Sequence, residues 1–209
     1  MSAWQDALQT AWQAMSGWEL VAVVLAIAYL LLAMRENILC WYAALISTGI
    51  YLFLFWDVSL LMESALQVYY LAMAVYGWYQ WKYRLVASAA SNESGISTWP
   101  LRKHGIAVTA VLLISLCSGY LLQNHSSAAL PFLDSFTTWG AVLTTYMVTK
   151  KILENWIYWL VIDGLSIYLY LDRGLYLTAL LFVAYLVICV FGFVSWLKHY
   201  QRHNLPAYG

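Results

Sequence analysis

The chain has 209 residues, of which 64% are hydrophobic and only 10% charged. A water-soluble domain carries about 25% charged residues, so this composition excludes an ordinary soluble globule and points to a bilayer. Ten basic residues balance ten acidic ones, which leaves no electrostatic footprint for a nucleic acid partner.

Residues 1–17, with Trp4 and Trp12, read as an amphipathic lead-in at the membrane interface, with no cleavable signal peptide. A spanning helix needs about 20 mostly apolar residues. Seven stretches qualify: 18–34, 37–56, 58–81, 105–122, 131–149, 153–171 and 174–197. Residues 82–104 between the third and fourth are polar and contain Ser88-Ala89-Ala90-Ser91-Asn92-Glu93-Ser94-Gly95, which reads as a linker. Residues 198–209 form a polar tail. Cys40, Cys117 and Cys189 fall in separate apolar segments without metal or redox spacing, and read as buried, unpaired cysteines.

Loop charge fixes the orientation. With the N-terminus outside, the inner loops and tail hold Arg35, Lys82, Arg84, Arg102, Lys103, Lys150, Lys151, Lys198 and Arg202, while the outer side holds only Arg173. This is the positive-inside pattern, and removing any one span would scramble it. The linker and the tail are then cytoplasmic.

Two stretches resemble each other and run in the same direction. Glu36-Asn37-x-x-x-Trp41 leads to Gly77-x-x-x-Trp81, and Glu154-Asn155-x-x-x-Trp159 leads to Gly192-x-x-x-Trp196. Ile50-Tyr51-Leu52 matches Ile167-Tyr168-Leu169, and the offset drifts from 118 through 117 to 115. A three-helix unit ends on the opposite side of the membrane from its start, so one intervening helix is needed to keep the copies parallel. The expected fold is therefore an all-α polytopic membrane protein of seven transmembrane helices. It comprises a first repeat at 18–81, a connector helix at 105–122 and a second repeat at 131–197. Parallel repeats of this kind place the substrate path between them near mid-membrane.

A charge at the bilayer centre costs about 2.5–3.5 kcal/mol on insertion scales. Glu63 and Asp163 lie well inside spans, whereas Glu19 sits near a helix end. Each buried acid either locks helices together or lines the path. Helical spacing favours the path. Asn155, Trp159, Asp163 and Ser166 form one row, and Glu63, Gln67 and Tyr70 form another. Asn37, Trp41 and Thr48 share a face of the second span. Asp134 and Thr138 are neighbours in the fifth, with Thr145 and Thr149 further on.

Among 12 Trp and 17 Tyr, many belong to the interfacial belt; Trp56, Trp81, Trp99 and Trp196 at span ends are the candidates. Trp159 reads as a stacking surface, Trp41 and Trp156 less so, with lipid as the other reading for Trp156. Acids among aromatics suit a flat cationic aromatic ligand, because a desolvated cation over a ring gains about 2 kcal/mol. The chain contains no nucleophile–base pair, metal cluster or phosphate loop, so the expectation is binding and release rather than catalysis, with no cofactor. The four histidines, 104, 125, 199 and 203, lie outside the spans or at their ends, which argues against haem ligation.

Leu66-Gln67-x-x-Tyr70, Tyr76-Gly77-Trp78-Tyr79-x-Trp81, Asp134-Ser135 and Glu154-Asn155-Trp156-x-x-Trp159 together resemble the PnuC family of bacterial vitamin-precursor transporters, over about 19–196. The resemblance implies a 3+1+3 fold of the SWEET type, a homotrimer in the bacterial inner membrane, and facilitated diffusion of an unphosphorylated vitamin precursor. It implies nicotinamide riboside as the default substrate, with thiamine a near-equal and riboflavin or deoxynucleosides in related branches. By position, Gln67, Trp159 and Asp163 would contact the substrate. The nicotinamide riboside branch can carry Asn at the position of Asp163, whereas Trp41-Tyr42 and Ile46-Ser47-Thr48-Gly49-Ile50-Tyr51 look closer to the thiamine branch. The candidate site comprises Trp159, Gln67, Asp163, Asn155, Glu63, Tyr70, Trp41, Asn37 and Thr138. A sugar transporter of related fold and a receptor without transport are the competing readings.

Overall fold

The computed structural model describes residues 17–57, 61–91, 95–125, 130–172 and 176–204. The N-terminal lead-in and the end of the tail lie outside these residues. Seven helices follow one another: α1 (Gly17–Met34), α2 (Cys40–Asp57), α3 (Leu61–Ser91), α4 (Leu101–His125), α5 (Pro131–Thr149), α6 (Asn155–Asp172) and α7 (Tyr176–Asn204). Proline never interrupts them. Pro131 opens α5, where its fixed φ suits the first turn and its missing N–H is not needed.

Three boundaries differ most from the sequence reading. α3 continues through Lys82 to Ser91, so the segment read as linker begins as helix. Lys, Arg, Leu and Ala in that stretch are good helix formers and prolong it beyond its apolar part. α4 starts at Leu101 and α7 continues to Asn204. By length and composition, α1, α4 and most of α7 are each apolar enough to cross a membrane, and Cys40–Leu54 is a shorter apolar helix. Large apolar side chains such as Phe53, Leu113, Tyr120 and Phe191 are exposed, as expected of a lateral surface facing lipid.

Helix packing is selective. α2 packs on both α1 and α3, and α6 packs on both α5 and α7. These two groups meet through α1 with α7 and through α3 with α5, while α4 packs along α5 and reaches α6 where His104 Nδ1 meets Tyr158 Oη at 2.8 Å. Its buried side is the row Val111, Ser115 and Gly119. A Cβ on Gly119 would come 2.5 Å from Cδ1 of Phe132, so the absent side chain sets how closely α4 approaches α5.

The turn that joins α1 to α2 recurs between α5 and α6. Glu36 and Lys151, 115 residues apart, both adopt positive φ, at 53° and 49°. Glu36 N–H donates to Ala33 O and Lys151 N–H to Val148 O, both at 3.0 Å. The same spacing relates Gly77 to Gly192 and Trp81 to Trp196. It also pairs Trp41 with Trp156, not with Trp159. This corrects the register expected from the Glu-Asn pattern: the spacing stays at 115 instead of drifting from 118. Glu36 corresponds to Lys151, and Asp163 faces Thr48 in the comparison.

Candidate functional site: an acid among tyrosines

Two internal clusters organise the interior. The first is tryptophan. A Cβ on Gly77 would sit 2.3 Å from Trp41, and one on Gly192 would sit 2.7 Å from Trp156, so each glycine makes room for an indole. Trp41 then meets Trp81 edge-on with centroids 5.4 Å apart at 87°, and Trp156 meets Trp196 at 5.4 Å and 89°. Trp81 and Trp196 join the two pairs at 6.0 Å. All four rings are buried. This overturns the belt assignment of Trp81 and Trp196 and the lipid-facing reading of Trp156. Periodicity alone could not distinguish a ring turned inward from one anchoring a span end.

The second cluster surrounds Asp163 on α6, which is buried with 4% of its surface exposed. The Cys189 thiol of α7 donates to Asp163 Oδ2 at 3.9 Å, the long contact of a weak donor. Tyr70 of α3 interacts electrostatically with Asp163 and Tyr170, and Tyr185 of α7 interacts with Asp163, Tyr170 and Tyr51. Tyr29 of α1 interacts electrostatically with Tyr70, Cys40 and Cys189, and its ring lies 6.0 Å from that of Trp41. The phenols and the acid thus converge from α1, α2, α3, α6 and α7. Tyr170, Phe182 and Tyr185 form a continuous aromatic edge, with centroids 4.9 and 5.3 Å apart.

Of the residues expected in the site, Asp163 and Tyr70 are brought together. Trp159 is partly buried, packs against the tryptophan core and lies one turn before Asp163 on the same face. Gln67 is partly buried one turn before Tyr70, and Thr138 is partly buried in α5. The Glu63 side chain lies outside the described residues. Asn155 is fully buried at the start of α6, where Nδ2 donates to Ile152 O at 2.6 Å and Oδ1 has no protein partner among the described residues. Asn37 is exposed, and its Oδ1 accepts from Leu39 N–H at 2.9 Å, ordering the turn into α2. Trp41 lies in the tryptophan cluster.

The threonine stripe of α5 has a structural explanation. Thr144, Thr145 and Thr149 each donate to a carbonyl of their own helix, at 2.7–2.8 Å. Buried hydroxyls satisfied in this way need no ligand. The cysteines divide: Cys117 is exposed, against expectation, while Cys40 and Cys189 are buried and none is bonded to another. The sequence reading missed Tyr29, Tyr170, Tyr185 and Cys189. Tyr185 was recoverable, since it stands at the constant spacing from Tyr70.

The arrangement offers one carboxylate, several phenols and ring faces. It suits recognition of a flat polar molecule, and among the described residues no group of His, Cys, Asp and Glu could hold a metal.

The sequence profile of the nicotinamide mononucleotide transporter family matches residues 16–198. The riboflavin/roseoflavin transporter RibM of Streptomyces davaonensis is 26% identical over 90% of this chain and 88% of its own length. The nicotinamide riboside transporter PnuC of Escherichia coli is 24% identical over 90% of this chain and 88% of its own length. Among solved structures, the crystal structure of the vitamin B3 transporter PnuC superposes with a TM-score of 0.68 at 23% identity, covering 88% of this chain and 82% of that one. At that identity the likeness concerns the fold.

Proposed function

Because the chain belongs to the nicotinamide mononucleotide transporter family, the PnuC family, we propose that it carries an unphosphorylated, cationic aromatic vitamin precursor by facilitated diffusion. It is a membrane transporter and not an enzyme. The observation that carries the substrate reading is Asp163. A buried carboxylate faced by a thiol and phenols is short of positive charge, and desolvating an unpaired charge is costly. A cationic ring would supply that charge and stack on aromatic walls. A phosphate would instead bring like charge to the acid, which disfavours the phosphorylated compound in the family's description. Nicotinamide riboside is the substrate of choice, with thiamine, also a cationic aromatic, close behind. A relative named for riboflavin transport makes that neutral vitamin the useful control.

In this reading Asp163, Trp159, Gln67, Tyr70 and Tyr185 hold the ligand, with Asn155, Glu63 and Thr138 along the path. The helices form two parallel three-helix repeats joined by α4, with the N-terminus outside the bacterial inner membrane and the tail inside. The recurring turn and the constant spacing support the repeat, and the nine-to-one basic asymmetry supports the orientation. The homotrimer rests on the resemblance.

Calorimetric titration with nicotinamide riboside, thiamine and riboflavin side by side tests the reading. Asp163→Asn should weaken the cationic ligands by about 10–100-fold, the worth of a hydrogen bond to a charged group. Trp159→Ala should weaken them about 30-fold, matching about 2 kcal/mol of stacking. Tighter binding of riboflavin, unaffected by Asp163→Asn, would refute the cationic reading. Uptake into proteoliposomes separates a transporter from a receptor.

A further inference from the structure

The two helix groups are tied together at one end of the molecule by contacts that serve neither the ligand cluster nor the fold of either group alone. Trp81 Nε1–H donates to Val148 O on α5 at 3.1 Å, and Trp196 Nε1–H donates to Ala33 O on α1 at 3.0 Å. Each bond crosses from one group to the other. Beside this layer, Lys151 Nζ lies 2.8 Å from Glu36 Oε2, with the two side chains only 4% and 13% exposed. The ammonium also sits 4.7 Å from the centre of the Trp81 ring. His199 Nδ1 meets the other carboxylate oxygen, Oε1.

Both charged residues occupy the left-handed region, which costs a residue with a Cβ about 1–2 kcal/mol and is ordinarily given to glycine. That each turn carries a long charged side chain at its strained position points to a task for the side chain. Arg35, Lys198 and Arg202 with Glu36 and His199 line a cleft of about 430 Å3 that opens on the Glu36 side of the pair. The pair lies on the basic face of the molecule, the inner face in the orientation given above.

We propose that Glu36 and Lys151, seated on the Trp81–Trp196 layer, form the latch that holds the inner face of the transporter shut. When the two groups rock apart on this side, the ion pair and both indole bonds must break together, because every one of them spans the gap. The latch rests on the transporter reading and on a path between the groups, but not on the identity of the substrate.

The test is a reversible lock. In a Cys40→Ser, Cys117→Ser background, with Cys189 retained beside Asp163, Glu36→Cys and Lys151→Cys are combined and oxidised with copper phenanthroline, or bridged by a short bismaleimide where the thiols do not couple. Vitamin uptake into proteoliposomes should fall by tenfold or more on cross-linking, and the oxidised form should recover with dithiothreitol. Unchanged uptake by the cross-linked protein overturns the latch while leaving transport intact; absence of uptake by the unsubstituted protein would instead undercut the transporter reading.

Where the reduced double variant is itself inactive, a second measurement decides. In a Cys117→Ser, Cys189→Ser background, Cys40, buried one residue before Trp41, is labelled from the inner face with a membrane-impermeant maleimide. Glu36→Gln should raise the labelling rate about tenfold. The combined exchange Glu36→Lys with Lys151→Glu should restore protection in part, because it re-forms the ion pair with its charges exchanged. Equal labelling in all three proteins overturns the proposal.

Discussion

The turn between α1 and α2 and the turn between α5 and α6 are the same backbone carrying different chemistry. Asn37 N–H donates to Leu32 O at 2.9 Å, and Ile152 N–H donates to Met147 O at 3.0 Å. One turn then bears a carboxylate at its strained residue and the other an ammonium. The first ends in an exposed Asn37 and is covered by His199 from α7. The second buries Asn155 and is strapped by the segment before α4. Ser97 N–H donates to Lys151 O and Leu153 N–H to Ser97 O, at 3.0 and 2.8 Å. Glu154 reinforces that strap, accepting from Trp99 N–H at 3.4 Å and lying 3.8 Å from His104. Two identical turns meeting face to face would bring like charges together. Divergence at one position converts that repulsion into an ion pair without disturbing the backbone.

The sharpest way to break the comparison is to remove one charge. Glu36→Gln leaves Lys151 buried without a carboxylate and should cost about 3 kcal/mol, in the range for stranding one partner of a buried pair. Lys151→Met should cost clearly less, since Glu36 keeps His199 and is the more exposed partner. Thermal unfolding in detergent compares the two, and equal losses would contradict the asymmetry.

Packing should behave symmetrically. Gly77→Ala and Gly192→Ala each force a Cβ against a buried indole, and overpacking typically costs about 1–3 kcal/mol. Gly77→Ala should be the worse, its clash being the closer. A shift in midpoint temperature for one glycine alone would show that the two tryptophan pairs are not equivalent.

Trp81→Phe and Trp196→Phe each remove one indole hydrogen bond while Val148 O and Ala33 O keep their turn amides, for about 1 kcal/mol apiece. The smallest effect belongs to the strap. Ser97→Pro deletes the amide that reaches Lys151 O and should accelerate hydrogen exchange at Leu153 while leaving the α1–α2 turn untouched.

The seven helices were legible in the sequence because long apolar runs without proline have few alternatives. The likeness of the two stretches was legible too, but its register was not. Glu154-Asn155-x-x-x-Trp159 matches Glu36-Asn37-x-x-x-Trp41 in letters, whereas the backbone pairs Trp41 with Trp156. What persists between the copies is what packs, Gly against Trp. The strained turn positions diverged in charge, so identity at Glu and Asn was a misleading guide. Asp163 and Tyr70 could be read as an acid and a phenol on inward faces. Tyr29 and Tyr170 could not, because in a chain so rich in aromatics a lone tyrosine in an apolar run looks like an interfacial residue. Only convergence from five helices distinguishes them.

The two indole bonds also differ in time. Trp81 reaches a carbonyl 67 residues further along the chain, and Trp196 reaches back across 163. During synthesis the first bond can form once α5 has emerged, while Ala33 must wait for nearly the whole chain. The joint between the halves therefore closes from one side first, and the last helix made completes it. A ribosome that stalls within α7 leaves a protein whose halves already share the Trp81 bond and the Glu36–Lys151 pair but lack the Trp196 bond.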